Sequence, residues 1–376
     1  MILSRRIKPR VNTSVPAFRS AYLMFQSLLS LAVTIFIFGL LIFVHEFGHY
    51  MVARAFKVGV IEFAIGMGPK IKTWKGKYND FTIRAIPIGG FVNMVGEYDE
   101  EIPDEHKYKI PLNERSVWKR MLIVVAGPFM NLLLAFVIMV GIVCGSNLIG
   151  TSRVAEFAEN SVSNQYGLQV NDEIIRVNGK TIHCYADLSY KIVSDGIEPI
   201  DIVVLRDGKE VLLKGVCFGT QKDENIVFGA MDFKVFGVKK TFGGVMREAF
   251  WQSYSTVYMT FDSLVDTFSG RYGIDAVGGP VAVGGEIDKT IKQSDSLLET
   301  VLNLATMAVM ISVSLGIFNL LPIPVLDGGR LLFYIIEAIR RKPLNPKYEQ
   351  AVSAVFTVLL FGLMAFVLIK DIAGLF

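Results

Sequence analysis

"FVHEFGHYMVARAF", Phe43 to Phe56, sets two histidines four residues apart with a glutamate after the first, and it continues an uncharged run that begins at Met24. Residues i and i+4 share one face of an α-helix, so His45 and His49 can close on a single metal ion. Glu46 stands where the HExxH pattern puts a general base. Two histidines and a glutamate next to lipid are costly, and ionisable groups at such depth are functional by default. The stretch therefore predicts a membrane helix that carries chemistry.

Composition extends that reading to the whole chain. Of 376 residues, 52% are hydrophobic and 19% charged, against about 25% charged in soluble domains, and the mean hydropathy is +0.45. A bilayer core about 30 Å thick takes roughly 20 apolar residues in a helix. Four uncharged stretches qualify: Met24–Val44, Met121–Val143, Val301–Leu321 and Ala351–Ile369. The expected fold is a polytopic α-helical membrane protein with four transmembrane helices, interrupted by a soluble module between the second and third. Five segments follow: a tail over 1–23, a first membrane part over 24–146, the module over 147–236, a linker over 237–300, and a second membrane part over 301–376.

A net charge of +3, without a Lys/Arg block interleaved with aromatics, argues against a nucleic-acid partner. The three cysteines, Cys144, Cys184 and Cys217, form no CxxC, so neither a cysteine metal site nor a disulfide framework is written here. Cys184 and Cys217 share the soluble segment and could pair in an oxidising compartment, but two separated cysteines are more often plain buried residues.

Arg5, Arg6, Lys8, Arg10 and Arg19 precede the first span, as in a signal peptide. The apolar core is longer than a signal peptide's and no small-x-small cleavage site follows, so the span stays. Twelve basic residues lie in 53–120 and five more in 330–347, on one side of a four-span chain. The positive-inside rule makes that side the cytoplasm, with the module and both termini outside. The basic N-terminus opposes this, and a translation start at Met24 would remove the conflict.

Zinc hydrolases present three protein ligands and a water. The third ligand should be an acid near the end of another span on the same side as His45 and His49. "NLLPIPVLDGGR", Asn319 to Arg330, ends the third span, which runs in the same direction as the first, and so offers Asp327. One carboxylate, two neutral imidazoles and a hydroxide balance a zinc ion, which limits the cost of burying it. Pro322 and Pro324 break the helix just before Asp327 and let the chain turn toward the metal. His106 and His183 lack partners at ligand spacing and read as ordinary surface or loop residues.

With HEFGH and NLLPIPVLDGG on successive core helices, the sequence resembles the site-2 protease family of intramembrane zinc metalloproteases, in its bacterial RseP type with a single PDZ domain. The family patterns HExxH and NxxPxPxLDG are met at His45, Glu46, His49, Asn319, Pro322, Pro324, Leu326, Asp327 and Gly328. The resemblance implies one zinc per chain on His45, His49 and Asp327, a catalytic Glu46, and a supporting role for Asn319 near substrate or oxyanion. "AGPFMN", Ala126 to Asn131, resembles the family's GPxxN pattern, with Gly127 and Asn131 as motif positions. Residues 58–97 read as short strands joined by polar turns. In the family such a segment looks like a membrane-associated β-hairpin near the zinc, where an unwound substrate can add to a strand edge.

"ENSVSNQYGLQVNDEIIRVNGKTI", Glu159 to Ile182, and the strand-like Pro199–Val216 look like a bacterial PDZ core with an Asn-Gly turn at Asn178 and Gly179. This module is expected to be extracytoplasmic, either capturing a peptide C-terminus or acting as a size filter. Apolar residues recur at helical spacing from Phe242 to Phe268, which suits a helix on the membrane surface or one packed on the module. "VGGPVAVGG", Val277 to Gly285, reads as a hinge.

The resulting expectation is a zinc-dependent endopeptidase of a bacterial cytoplasmic membrane, with its active site toward the cytoplasm. Its implied partners are the lipid bilayer and single-span substrates pre-cut by another protease, of the anti-sigma factor or remnant signal peptide type. A catalytically idle PDZ scaffold and a metal-ion carrier are the rivals. The intact HExxH and Asp327 argue against the scaffold, and a carrier does not need Glu46 beside the first histidine.

Overall fold

The computed structural model describes residues 16–97, 109–223, 226–270 and 278–373. The first fifteen residues, His106 and Val277 lie outside them. Four of the described helices are long and apolar enough to cross a membrane: Gln26–Ala55, Val117–Gly145, Leu297–Leu320 and Lys347–Ala373.

The first helix, α1 (Pro16–Ala55), starts inside the stretch read as a tail and carries HEFGH in its last turns. It stops where Lys57 turns left-handed and Val58 N–H closes on the Ala53 carbonyl. Two strands follow, β1 (Val60–Lys75) and β2 (Asp80–Met94). They are longer than the sequence suggests and fold back on themselves. Val60–Ile65 lies opposite Gly90–Met94 on one side and Asp80–Ile83 on the other, while Lys70–Lys75 lies opposite Asp80–Arg84. The bend is made at Gly66 and Gly68, both with positive φ, which a residue without Cβ adopts freely.

α2 (Val117–Gly145) contains Pro128 and leads into the β-rich module. Its elements are β3 (Ile149–Phe157), β4 (Glu173–Val177), β5 (Lys180–Thr181), α3 (Tyr185–Asp195), β6 (Ile200–Arg206), β7 (Lys209–Val216), β8 (Gly219–Asp223), β9 (Ile226–Ala230) and β10 (Phe233–Val238). The main sheet runs β10-β3-β4-β6-β7, with β5 paired to β4 across the Asn178-Gly179 turn, where both residues have positive φ. Val154, Ile174, Val177, Leu188, Ile192, Ile202 and Val204 fill its own core. Cys184 and Cys217 are free thiols.

α4 (Phe242–Phe268) is capped by Thr241, whose hydroxyl accepts from Gly244 N–H. This helix packs on α2 as well as on the module. Val245 and Ala249 pack on Met139 and Val143 of α2, and further along Ser255 donates to Asp187 of α3. His183 is more than a loop residue: its ring stacks on Trp251 at 3.9 Å and its Nδ1 lies 3.2 Å from Asp187.

The glycine-rich stretch read as a hinge is helical from Pro280, inside α5 (Pro280–Gln293). A proline at the first helical position suits a helix start. The Asp371 carboxylate accepts from Gly279 and Ala282 N–H at 3.0 Å each and so caps that start. α6 (Leu297–Leu320), α7 (Asp327–Arg340) and α8 (Pro346–Ala373) complete the chain. Asp371 lies near the end of α8, and Ser30 of α1 donates to Asp288 of α5 at 2.7 Å.

Candidate metal centre

The i, i+4 spacing does what helix geometry requires: the Nε2 atoms of His45 and His49 lie 3.2 Å apart. Asp327 opens α7 at the end of the Leu321–Leu326 loop, and its Oδ2 lies 3.1 Å from His45 Nε2 and 3.3 Å from His49 Nε2. These three are the group among the described residues that could hold a metal ion. Four-coordinate zinc with bonds of about 2.0–2.1 Å has ligand atoms about 3.3 Å apart, so the three donors already trace one face of a tetrahedron.

The surroundings fit an ion as well as the distances do. A Cβ on Gly127 of α2 would collide with His49 Nε2, lie 2.6 Å from His49 Cε1 and 2.9 Å from His45 Nε2. Glycine at this point leaves open the space onto which both Nε2 atoms converge. His49 Nδ1 lies 2.8 Å from the Ile123 carbonyl, which can only accept. The proton is therefore fixed on Nδ1 and Nε2 faces the site unprotonated. Both histidines are buried.

Glu46 sits one residue from His45, close enough to interact electrostatically with both rings and with Asp327. The inner edge of the folded-back sheet leans on it: a Cβ on Gly90 would lie 3.0 Å from Glu46 Cγ. α7 is held from two sides. Arg120 makes a bidentate pair with Glu337 at 3.0 and 2.5 Å, and Arg330 pairs with Glu97. Gly328 is needed because a Cβ there would strike the carbonyls of Leu320 and Leu321. A cavity of about 540 Å³ opens beside α7, lined by Glu97, Arg120, Arg330, Tyr334 and Glu337.

The other motif residues divide. Gly127 touches both imidazoles, and Asn131, fully buried, lies against His45. Asn319 is half-buried in the last turn of α6, and among the described residues its side chain makes no hydrogen bond to the three ligands. Pro322 and Pro324 shape the loop before Asp327, and Ser353 of α8 donates to the Pro324 carbonyl at 3.2 Å. The Ile123 carbonyl and the Asn131 contact escaped the sequence reading. A signal existed, since Gly127 and Asn131 are themselves four apart and share one face of α2.

Residues 33–363 match the family described as Peptidase family M50. A Clostridium perfringens protein provisionally named a zinc metalloprotease is 35% identical over 89% of this chain and 96% of its own length. The Bacillus subtilis protein named regulator of sigma-W protease RasP is 31% identical over 91% of this chain and 98% of its own. A Bacillus licheniformis protein named zinc metalloprotease RasP shows the same identity and the same two coverages.

Proposed function

We propose, from the premise that this chain belongs to peptidase family M50, that it is a zinc metalloendopeptidase cutting transmembrane segments of single-span membrane proteins. The observation that carries this reading is the convergence of His45, His49 and Asp327 beside Glu46, at the cradle that Gly127 leaves open. Zinc bound there would supply a Lewis acid and a water acidified to about pKa 7.

The chain's own groups do the rest. Glu46 takes the proton of the attacking water and returns it to the leaving nitrogen. Asn319 supports the developing oxyanion. A helical substrate hides its peptide bonds in its own hydrogen bonds, and the Gly89–Met94 edge beside Glu46 offers partners to an unwound strand. The cavity along α7 gives the products a polar way out.

Basic residues in 53–120 and 330–347 favour a cytoplasmic active site in a bacterial inner membrane, with the β-rich module, read as a PDZ domain, outside. The name of the Bacillus subtilis relative ties that protein to sigma-W, which favours anti-sigma-type substrates already trimmed by another protease. The module serves as a size filter for such substrates.

The test is cleavage of a tagged single-span peptide by the purified chain in nanodiscs. Chelation should stop cleavage and zinc restore it, and Glu46→Gln should lower the rate by about 10²–10⁴-fold. Equal rates for wild type and Glu46→Gln, or zinc transport across liposomes without cleavage, would defeat the proposal.

A further inference from the structure

The two histidines are held differently on their far sides. His49 Nδ1 meets a backbone carbonyl, which admits one tautomer only. His45 Nδ1 meets the side-chain amide of Asn131, with Nδ2 at 3.2 Å. An amide can offer either a donor or an acceptor. In the arrangement seen, Nδ2 donates to His45 Nδ1, so the ring's proton sits on Nε2 and points at Asp327. Asn131 Oδ1 is meanwhile buried and unpartnered.

We propose that Asn131 is the positioning residue for His45, holding the ring in the metal-ready tautomer after a half-turn of its amide. The half-turn puts Oδ1 against Nδ1. The proton then sits on Nδ1 and the amide oxygen accepts it, Nδ2 takes the place that Oδ1 held, and the Nε2 lone pair is freed for the ion. The helix around Asn131 need not move, because its backbone carbonyl is separately pinned by the Ser312 hydroxyl of α6 at 2.7 Å. Gly127, one turn back, supplies the space and Asn131 the orientation.

The inference rests on the zinc reading of the site, and the experiment separates the two. Zinc affinity of the full chain is measured in detergent by competition with a chromophoric chelator, beside thermal unfolding of the metal-free protein and the visible spectrum of the cobalt form. Asn131→Leu and Asn131→Ala should weaken zinc binding by about 10–100-fold, the usual cost of losing a hydrogen-bond partner behind a ligand. Both should alter the cobalt spectrum. Asn131→Asp, which keeps an acceptor, should bind within about threefold of wild type.

Equal affinities for wild type, Asn131→Leu and Asn131→Ala would overturn the proposal. So would an Asn131→Asp that falls as far as Asn131→Leu, since packing would then be the only role left. Should Asn131→Leu fail to fold, Asn131→Ala carries the same comparison. A wild-type chain that binds no zinc defeats the metal reading itself.

Discussion

The metal junction adds polar and close backbone contacts to its apolar packing, whereas the β-rich module closes mainly on an aliphatic core. At the junction, segments remote in sequence meet through backbone and polar atoms: Gly127 against two imidazoles, Ser312 on the Asn131 carbonyl, Arg120 on Glu337. The module instead closes on its own aliphatic core, with Ile174, Leu188 and Ile202 fully buried. The contrast follows from the solvent. Lipid is as apolar as leucine and gives helices no hydrophobic reason to associate, so close approach and hydrogen bonds must do the work. In water, burial of apolar area suffices. The joint between the regions mixes the two: Asp187 meets Ser255 and Lys191 meets Asp262, while Ile149 of β3 packs with Val143, Val245 and Ala249.

The largest expected effect tests whether the module stands alone. Leu188→Ala should destabilise it by about 2–5 kcal/mol, followed by hydrogen exchange in β3, β4 and β6, while zinc affinity stays unchanged. A parallel loss of zinc would erase the distinction between the regions. Gly127→Ala strikes the junction, where overpacking of about 1–3 kcal/mol should appear as roughly tenfold to hundredfold weaker zinc binding and leave module exchange untouched. Asp187→Ala acts on the joint. It strips partners from Ser255 and His183, and at about 1–3 kcal/mol it should raise protease access between α3 and α4 without unfolding either.

The smallest effect concerns the folded-back sheet. Burial alone would raise the Glu62 carboxyl, but hydrogen bonds from Thr82, Lys70 and Arg84 hold it below its ordinary value. A depressed carboxyl stabilises above its unfolded pKa and loses that contribution as pH falls. Exchange in β1 and β2 should therefore quicken below about pH 4, and Glu62→Gln should flatten the dependence. An unchanged profile in Glu62→Gln would mean that the sheet is held like the module, by packing.

What could be read from the letters depended on range. His45 and His49 are one turn apart, so local geometry alone pairs them. Asp327 came from counting spans, which preserves direction even when no contact is visible. The Asn178-Gly179 turn is equally local. The stretch after Val277 misled because its glycines are poor helix formers. A start at Pro280 is rescued by Asp371, 92 residues downstream of Gly279, and no local rule anticipates that. The doubled hairpin was missed for a similar reason: alternation predicts strands but not which edge a strand will meet. The tautomer of His45 depends on which end of an amide faces it, a choice the sequence does not contain.

Most of the chain separates His49 from Asp327, and that interval has a meaning in time. At roughly 5–20 residues per second of synthesis, the first helix waits on the order of 15–60 s before the carboxylate exists. Throughout that wait the nascent polypeptide holds two imidazoles and the Glu46 carboxylate but lacks Asp327. On the proposed zinc reading, splitting the ligand set in this way would work as a birth lock: the three donors can meet only after most of the chain has been made.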